Sequence, residues 1–228
     1  MVSGLRAPAA GYTSPFLIVA TIFIATLLTS NIISVKLIDV GGLVLPAAVI
    51  VFPLSYIVGD VLTEVYGFRR ARAVIWLGFL ANLLLVIGVG IAQALPAPGF
   101  WDGQAAYERI LGYAPRLLIA SFAAYLVGEL TNSLILSRLK AATRGRWLWS
   151  RTIGSTLVGQ GLDSLIFITI AFFPMDDLFG LIVRQWIVKC LYEVVATPLT
   201  YLAVTYLKER EGLDALDSPT ELNPLPWR

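Results

Sequence analysis

Residues 53–70 read PLSYIVGDVLTEVYGFRR and close an apolar run that begins at Val44. The stretch carries two carboxylates, Asp60 and Glu64, which lie four residues apart and share one face of a helix. An acid in the middle of a bilayer costs about 2.5–3.5 kcal/mol or more, so two acids one turn apart require protein partners or a hydrated cavity. The stretch therefore predicts a functional site inside a membrane-embedded helix bundle.

The composition sets the class of protein. Of 228 residues, 57% are hydrophobic and 14% are charged, and the mean hydropathy is +0.78. These values are typical of an integral membrane protein whose partner is the lipid bilayer. The formal net charge of +2 is too small to indicate a nucleic-acid partner.

Few residue types are available for catalysis or metal binding. The chain has no histidine and a single cysteine, Cys190. An intrachain disulfide and a thiolate metal cluster are thereby excluded, and we expect no metal and no cofactor. Any proton transfer falls to carboxylates, lysine or water.

Hydrophobic runs predict an all-α, polytopic bundle of six transmembrane helices. The predicted spans are about 16–38, 44–66, 71–95, 116–139, 152–173 and 178–207. A short amphipathic helix is expected at 104–111, within an external loop over 96–115. The chain is therefore divided into an N-terminal tail (1–13), a transport domain (14–208) and a C-terminal tail (209–228) that is acidic and expected to be disordered.

The basic residues predict the orientation. Twelve lie in the tails and in the loops after the second and fourth spans: Arg6, Arg69, Arg70, Arg72, Arg138, Lys140, Arg144, Arg146, Arg151, Lys208, Arg210 and Arg228. The opposite side has Lys36, Arg109, Arg116 and, near its edge, Arg184. The positive-inside rule places both termini in the cytoplasm.

A weak internal similarity is compatible with a 3+3 inverted repeat. Residues 28–31 (LTSN) resemble residues 130–133 (LTNS), and an aspartate close to a glycine recurs at Asp60 and Asp163. Inverted repeats are common in transporters. Chance recurrence of small and polar residues is the alternative.

Five acids lie within the predicted spans, whereas Lys189 is the one clear basic partner there. Some of the acids must then be protonated, hydrated, or bound to a cation or to a ligand rich in donors. The candidate substrate-binding or coupling residues are Asn31, Asp60, Glu64, Glu129, Asn132, Gln160, Asp163, Gln185, Lys189 and Glu193.

Structural roles are the alternatives for several of these residues. Glu193 and Lys189 lie one turn apart and could neutralise each other. Glu64 could lie near the cytoplasmic interface beside Arg69. The buried amides are more often contacts between helices than ligand contacts.

Catalysis is poorly supported by the sequence. The Gly-x-Gly-Asp pattern of an intramembrane aspartyl protease is absent, as are a phosphate-binding loop, a zinc motif and a serine nucleophile elbow. A channel would be expected to show rings of like residues. Six dissimilar spans favour a substrate-binding bundle that is not an enzyme.

Small residues on two predicted helices favour close helix packing. Ala120, Ala124 and Gly128 recur at four-residue spacing, and Ser155 and Gly159 do the same on the next helix. Such a stripe serves either folding within one chain or a homodimer contact.

The motifs resemble those of the VUT family of queuosine precursor transporters. The resemblance covers about residues 25–205 and is most specific in residues 53–67, followed by Arg69 to Arg72 and the WLGF of residues 76–79. Ser164 stands where threonine is expected. The downstream part of the match comprises Ser155-Thr156, Gln160, residues 163–167, Gln185, Lys189, Glu193 and Pro198.

This resemblance implies inward transport of deazaguanine bases across the inner (cytoplasmic) membrane. The expected substrates are 7-cyano-7-deazaguanine and its aminomethyl relative, used for queuosine modification of tRNA. A carboxylate such as Asp163 or Glu64 would accept hydrogen bonds from the donor edge of the base, while Lys189 and Gln160 would meet its acceptors. A remaining acid would exchange a proton during transport.

Two other functions stay open. The six-span unit also resembles the substrate-binding subunits of energy-coupling-factor transporters, which require a separate ATPase module. A signalling or scaffold membrane protein is the third alternative, and it would bind no small base.

Overall fold

The computed structural model describes residues 12–40, 43–112, 115–174, 176–215, 217 and 222–224, and most of the expected N-terminal tail lies outside these ranges. The elements follow in the order α1 (Ser14–Ile33), β1 (Leu37–Val40), β2 (Leu43–Pro46), α2 (Phe52–Tyr66), α3 (Phe68–Ala94), α4 (Gln104–Leu111), α5 (Pro115–Ala142), α6 (Leu148–Phe172) and α7 (Leu178–Glu211). A 3-10 turn at Ala47–Ile50 lies between β2 and α2.

Among the described residues, five helices are long and apolar enough to cross a membrane, namely α1, α3, α5, α6 and α7. The chain is therefore a polytopic helical membrane protein. Helix α2 has 15 residues, which at 1.5 Å per residue is about 22 Å and falls short of a bilayer core of about 30 Å. The six-span count, the orientation and the inverted repeat stay predictions.

The segment between α1 and α2 differs from the expectation of two continuous helices. Helix α1 ends at Ile33, and β1 pairs antiparallel with β2, with Leu37 opposite Pro46 and Val40 opposite Leu43. Short apolar runs fit a strand as well as a helix, and Gly-Gly between two such runs is a hairpin signal. The second helix consequently begins at Phe52 rather than Val44. The short helix expected at 104–111 is confirmed as α4.

Helix α2 is the centre of the bundle. It contacts α1, α3, α5 and α7, and every residue from 57 to 66 is buried. The apolar positions among them join the main hydrophobic cluster with Phe23 of α1, Ile75 of α3 and Ala196 of α7. Because this part of α2 is buried, Asp60 and Glu64 face the neighbouring helices and not the surface of the bundle.

Helices α5 and α6 pack closely through glycine. A Cβ added to Gly159 would lie 2.7 Å from the Asn132 Cβ and 2.9 Å from the Gly128 carbonyl oxygen. Ala120 and Ala124, at 0% and 1% exposure, are also buried within the chain. The small-residue stripe therefore serves folding of one chain, and it gives no support to a homodimer.

The described part of the C-terminal tail packs against the helices, so the expectation of disorder is wrong for these residues. Leu213 is buried in the main hydrophobic cluster, and the Ala215 N–H donates to the Val65 carbonyl at 3.2 Å. The Phe68 N–H, at the start of α3, donates to the Asp217 carboxylate at 2.9 Å. The acidic residues that suggested disorder instead pair with a helix N-terminus and with basic side chains.

Candidate functional site

A cavity of about 110 Å³ lies inside the bundle where α1, α2, α5, α6 and α7 converge. The lining side chains are mostly polar, in a molecule whose surface is mostly apolar. They are Leu27, Ser30, Asn31, Ser55, Tyr56, Tyr125, Glu129, Gln160, Asp163 and Lys189. Five of the predicted site residues therefore meet at one cavity.

The charged group of this cavity is an ion pair between neighbouring helices. The Lys189 Nζ of α7 donates to the Asp163 Oδ2 of α6, and both side chains are largely but not fully buried. Lys189 thus pairs with Asp163 rather than with Glu193 on its own helix. Glu129 approaches from α5, where its Oε1 lies 2.8 Å from the position of a Cβ on Gly59.

Amide groups complete the polar wall. The Asn31 Nδ2 donates to the Asn82 Oδ1 at 2.7 Å, which joins α1 to α3. Gln160 lines the cavity and is 6% exposed. A cavity with a carboxylate, an ammonium and amides offers both acceptors and donors to a flat polar ligand.

A layer of acids lies one helical turn below the cavity. Asp60 follows Tyr56 by four residues, and Glu193 follows Lys189 by four. Both carboxylates are 1% exposed, and the Asp60 Oδ1 accepts a hydrogen bond from the Asn132 Nδ2 at 3.1 Å. We call the side chains of Asp60 and Glu193 the acid pair.

Glu64 lies a further turn along α2, among basic side chains. Its Oε2 accepts from the Arg151 Nη1 at 2.7 Å and its Oε1 from the Lys208 Nζ at 2.7 Å, while the Lys140 Nζ is 3.6 Å away. The Glu64 side chain has no solvent exposure. We call this group, with Asp214, the cation cluster.

Asp214 joins the tail to the cation cluster. Its Oδ1 lies 2.6 Å from the Lys140 Nζ and 2.9 Å from the Lys208 Nζ. Partial burial of Asp214 favours its neutral form, but the hydrogen bonds and charges of Lys140 and Lys208 outweigh this effect and lower the pKa of its carboxyl group. Asp214 is therefore ionised at neutral pH and offsets the excess positive charge around Glu64.

Gln185 is the predicted site residue placed in none of these three layers; it is half-buried on α7. Two groups of side chains lie at these layers without having been predicted as site residues. Ser55, Tyr56 and Tyr125 line the cavity, and the signal for Tyr56 is its spacing of four residues from Asp60. The cations around Glu64 were interpreted as orientation signals, and nothing local in the sequence indicates that they converge.

A bundle of membrane-spanning helices around a polar, charged cavity defines a class, namely polytopic membrane proteins with a binding site between their helices. The family model described as "Putative vitamin uptake transporter" matches residues 46–203, more than half of the chain. The chain belongs to this family, which confirms the resemblance noted in the sequence.

Relatives over most of the chain are named as transporters. The "Probable queuosine precursor transporter" of Bacillus subtilis (strain 168) is 30% identical over 179 residues, which are 76% of this chain and 78% of the relative. The "Queuosine precursor transporter" of Escherichia coli (strain K12) is 26% identical over 178 residues, covering 76% and 77% of the two chains. No solved structure gives a significant match.

Proposed function

We propose that this protein imports a queuosine precursor across the inner membrane as a secondary transporter. The proposed substrate is a 7-deazaguanine base, chiefly 7-cyano-7-deazaguanine and also its aminomethyl relative. The observation that carries the proposal is the polar cavity between the helices, in which Asp163 and Lys189 meet. The names of the relatives from Bacillus subtilis and Escherichia coli support the substrate class.

The chemistry of the cavity suits such a base. A guanine-like edge presents two adjacent N–H donors, which a carboxylate accepts together, and Asp163 and Glu129 supply carboxylates there. The carbonyl and nitrile of the base need donors, for which Lys189 and the Gln160 amide are available. A site built to hydrogen-bond its ligand rejects analogues that leave its polar groups unpaired.

The cavity is smaller than ordinary ligand pockets, which measure roughly 300–1,000 Å³. A bicyclic base therefore needs the lining side chains to move apart when it enters. Breaking the contact between Asp163 and Lys189 would open the cavity between α6 and α7 and free both groups for the base. This requirement links binding to a change in helix packing.

The orientation with both termini in the cytoplasm is part of the proposal. The Thr13 Oγ1 at the start of α1 donates to the Glu211 carboxylate at the end of α7, at 2.7 Å from Oε2. The two ends of the helical domain are therefore on the same side of the bundle. Lys140, Arg151 and Lys208 gather around Glu64, and Lys208 lies on the same last turn of α7 as Glu211. Basic residues at this end of the bundle support a cytoplasmic orientation under the positive-inside rule.

The test is uptake of radiolabelled 7-cyano-7-deazaguanine by the purified protein in proteoliposomes. We expect saturable uptake by wild type and by Asp102→Asn, a control with the same chemical change at an exposed loop position. We expect loss of uptake in Asp163→Asn, because the amide cannot accept two donors in place of the carboxylate. Wild-type uptake by Asp163→Asn would remove this residue from the mechanism.

Transport by the purified protein alone would also exclude a binding subunit that depends on an ATPase module. Binding without uptake would favour that alternative. A lack of both binding and uptake would contradict the proposed function.

A further inference from the structure

Three of the four carboxylate oxygens of the acid pair lack a hydrogen bond of normal geometry from the described residues. Asp60 and Glu193 lie beside each other on α2 and α7, and Thr156 of α6 is the other hydrogen-bonding side chain at the Glu193 carboxylate. Yet the Asp60 Oδ2 and both Glu193 oxygens are buried without a hydrogen bond of normal geometry from any described residue, as is the Asn132 Oδ1 nearby. Buried polar atoms are nearly always paired, so four such atoms in one place require a cause.

Cations do not compensate the acid pair within the described ranges. Lys189, one turn from Glu193, is held by Asp163 in the layer above. Arg151, Lys140 and Lys208 contact Glu64 in the layer below. The other charged or titratable groups of the described residues that face the pair are Glu64 and Tyr56 of α2, Glu129 of α5 and Cys190 of α7. All four would add negative charge if ionised.

Two ionised carboxylates cannot stay side by side in this setting. At 1% exposure they have lost most of the screening by water, so their repulsion is large. A proton on one carboxyl group removes a charge and supplies an O–H donor to the other. The pair then resembles other carboxylate dyads, in which two acids share one proton.

The structure assigns a single shared proton to Asp60 and Glu193, and we propose that its exchange couples a proton gradient to transport. The coupling half of this inference rests on the proposed function, whereas the shared proton does not. A cation is the other means of joining two carboxylates. No group of three or more histidines, cysteines or acids among the described residues is placed to hold a metal ion, and a response of transport to sodium is the outcome that would indicate a cation in place of the proton.

The position of the pair explains how its proton affects the cavity. Asp60 lies on the same face of α2 as Tyr56, and Glu193 lies on the same face of α7 as Lys189. Tyr56 and Lys189 line the cavity. When the proton leaves, repulsion between the two carboxylates separates α2 from α7 one turn below the site. A protonated pair keeps the two helices together. Proton binding and cavity shape are thus linked through helix packing.

The shared proton is tested without substrate by infrared spectroscopy of purified protein. At pH of about 7–8, exposed carboxyl groups are ionised, and the carbonyl stretch of a protonated carboxyl group reports a buried proton. We expect this band in wild type and in Glu108→Gln, an exposed control. We expect its loss in Glu193→Gln and in Asp60→Asn, because either amide supplies a permanent N–H donor and lets the remaining carboxylate ionise.

Further outcomes of this test contradict the shared proton. A band that persists in both variants, or no band in wild type, would overturn the assignment. A band lost only in Glu129→Gln would place the proton in the cavity. If one of the two pair variants fails to fold, the other decides, since each removes the same proton.

The coupling is tested in proteoliposomes by comparing uptake with and without an acid exterior. With one proton per base, a gradient of one pH unit supports accumulation of about tenfold. The measured quantity is the ratio of accumulated base with the gradient to that without it. We expect a ratio of about ten in wild type and Glu108→Gln, and a ratio close to one in Glu193→Gln and Asp60→Asn. A tenfold ratio in both pair variants, or a response to sodium in place of protons, would overturn the coupling.

Failure of the proposed function and failure of the shared-proton inference give different experimental results. If wild type does not take up the base under any gradient, the proposed function fails and the infrared result still decides the shared proton. If uptake is present but the infrared band is absent, the function stands and this inference is wrong.

Discussion

Glu64 and Asp60 are equally buried on neighbouring turns of the central helix α2, but the surroundings of Glu64 are opposite to those of the acid pair that Asp60 forms with Glu193 of α7. Glu64 is contacted by Arg151, Lys208 and Lys140, whereas no described residue gives either Glu193 oxygen a hydrogen bond of normal geometry or a cation. The contacts join α2 to α5, α6 and α7, so we expect Glu64 to act as a structural anchor. Two acids of equal burial can thus differ in their compensation by cations, and we propose a functional role for the pair that lacks it.

The largest expected effect is on stability, at the cation cluster. Glu64→Gln leaves three basic side chains facing one another around a neutral amide, and breaking a buried ion pair in this way costs about 3–5 kcal/mol. We expect a large fall in the melting temperature of detergent-solubilised protein. Glu209→Gln, the same change at an exposed position near that end of α7, should melt like wild type.

This substitution also separates the two roles considered for Glu64. If Glu64→Gln melts like wild type but loses uptake, then Glu64 acts on the substrate and the contrast drawn here fails.

A smaller effect, on binding rather than stability, is expected in the cavity. Gln160→Leu keeps the size of the side chain but removes a donor and an acceptor, so the base should lose about 1–3 kcal/mol, or about 5- to 150-fold in affinity. The melting temperature without ligand should change little. Gln93→Leu, a change of the same kind on α3 outside the cavity, is the control. Equal affinity in both variants would place the base elsewhere.

The smallest effect is expected at the tail, and it depends on pH. The pKa of Asp214 is lowered in the folded protein. Ionised Asp214 therefore stabilises the folded protein at a pH above its unfolded pKa of about 3.9, and this stabilisation is lost as pH falls through the folded pKa. At pH 7 the free energy of unfolding of wild type should exceed that of Asp214→Asn by up to about 1 kcal/mol. The effect is small because the ion pair of Asp214 with Lys140 is partly exposed.

The difference between wild type and Asp214→Asn should shrink as pH falls below about 4. Thermal melting over a pH series measures it, with Asp102→Asn as the control. A difference that does not depend on pH would show that the ion pairs with Lys140 and Lys208 are not its source.

Much of the fold can be predicted from the hydrophobic runs of the sequence. The acids at the site can be predicted because placing a carboxylate inside a membrane costs free energy, so that such a residue indicates a site. Lengths and composition predict α3, α5, α6 and α7 to within a few residues, except that α7 extends to Glu211. The pairing of strand β1 with strand β2 could not be predicted from hydrophobicity, because a short apolar run fits either a strand or a helix end.

The pairing of charges could not be predicted either. Within one helix, Lys189 and Glu193 have ideal spacing, yet Lys189 pairs with Asp163 on α6. Which partner is chosen depends on how α6 and α7 are rotated against each other, and that rotation is set by packing such as the close approach of Gly128 and Gly159. The spacing of residues along the sequence shows which side chains share a face of one helix. Which side chains meet across two helices can be known only from the assembled bundle.

The central claim is that the cavity between α1, α2, α5, α6 and α7 holds the base and that Asp163 meets it. Equilibrium binding of 7-cyano-7-deazaguanine to purified wild type and Asp163→Asn, measured by calorimetry well below the melting temperature of both, tests this claim most directly. We expect saturable binding to wild type and a loss of affinity of at least about tenfold in Asp163→Asn, equivalent to about 1.4 kcal/mol. Equal affinity in the two proteins would contradict the claim.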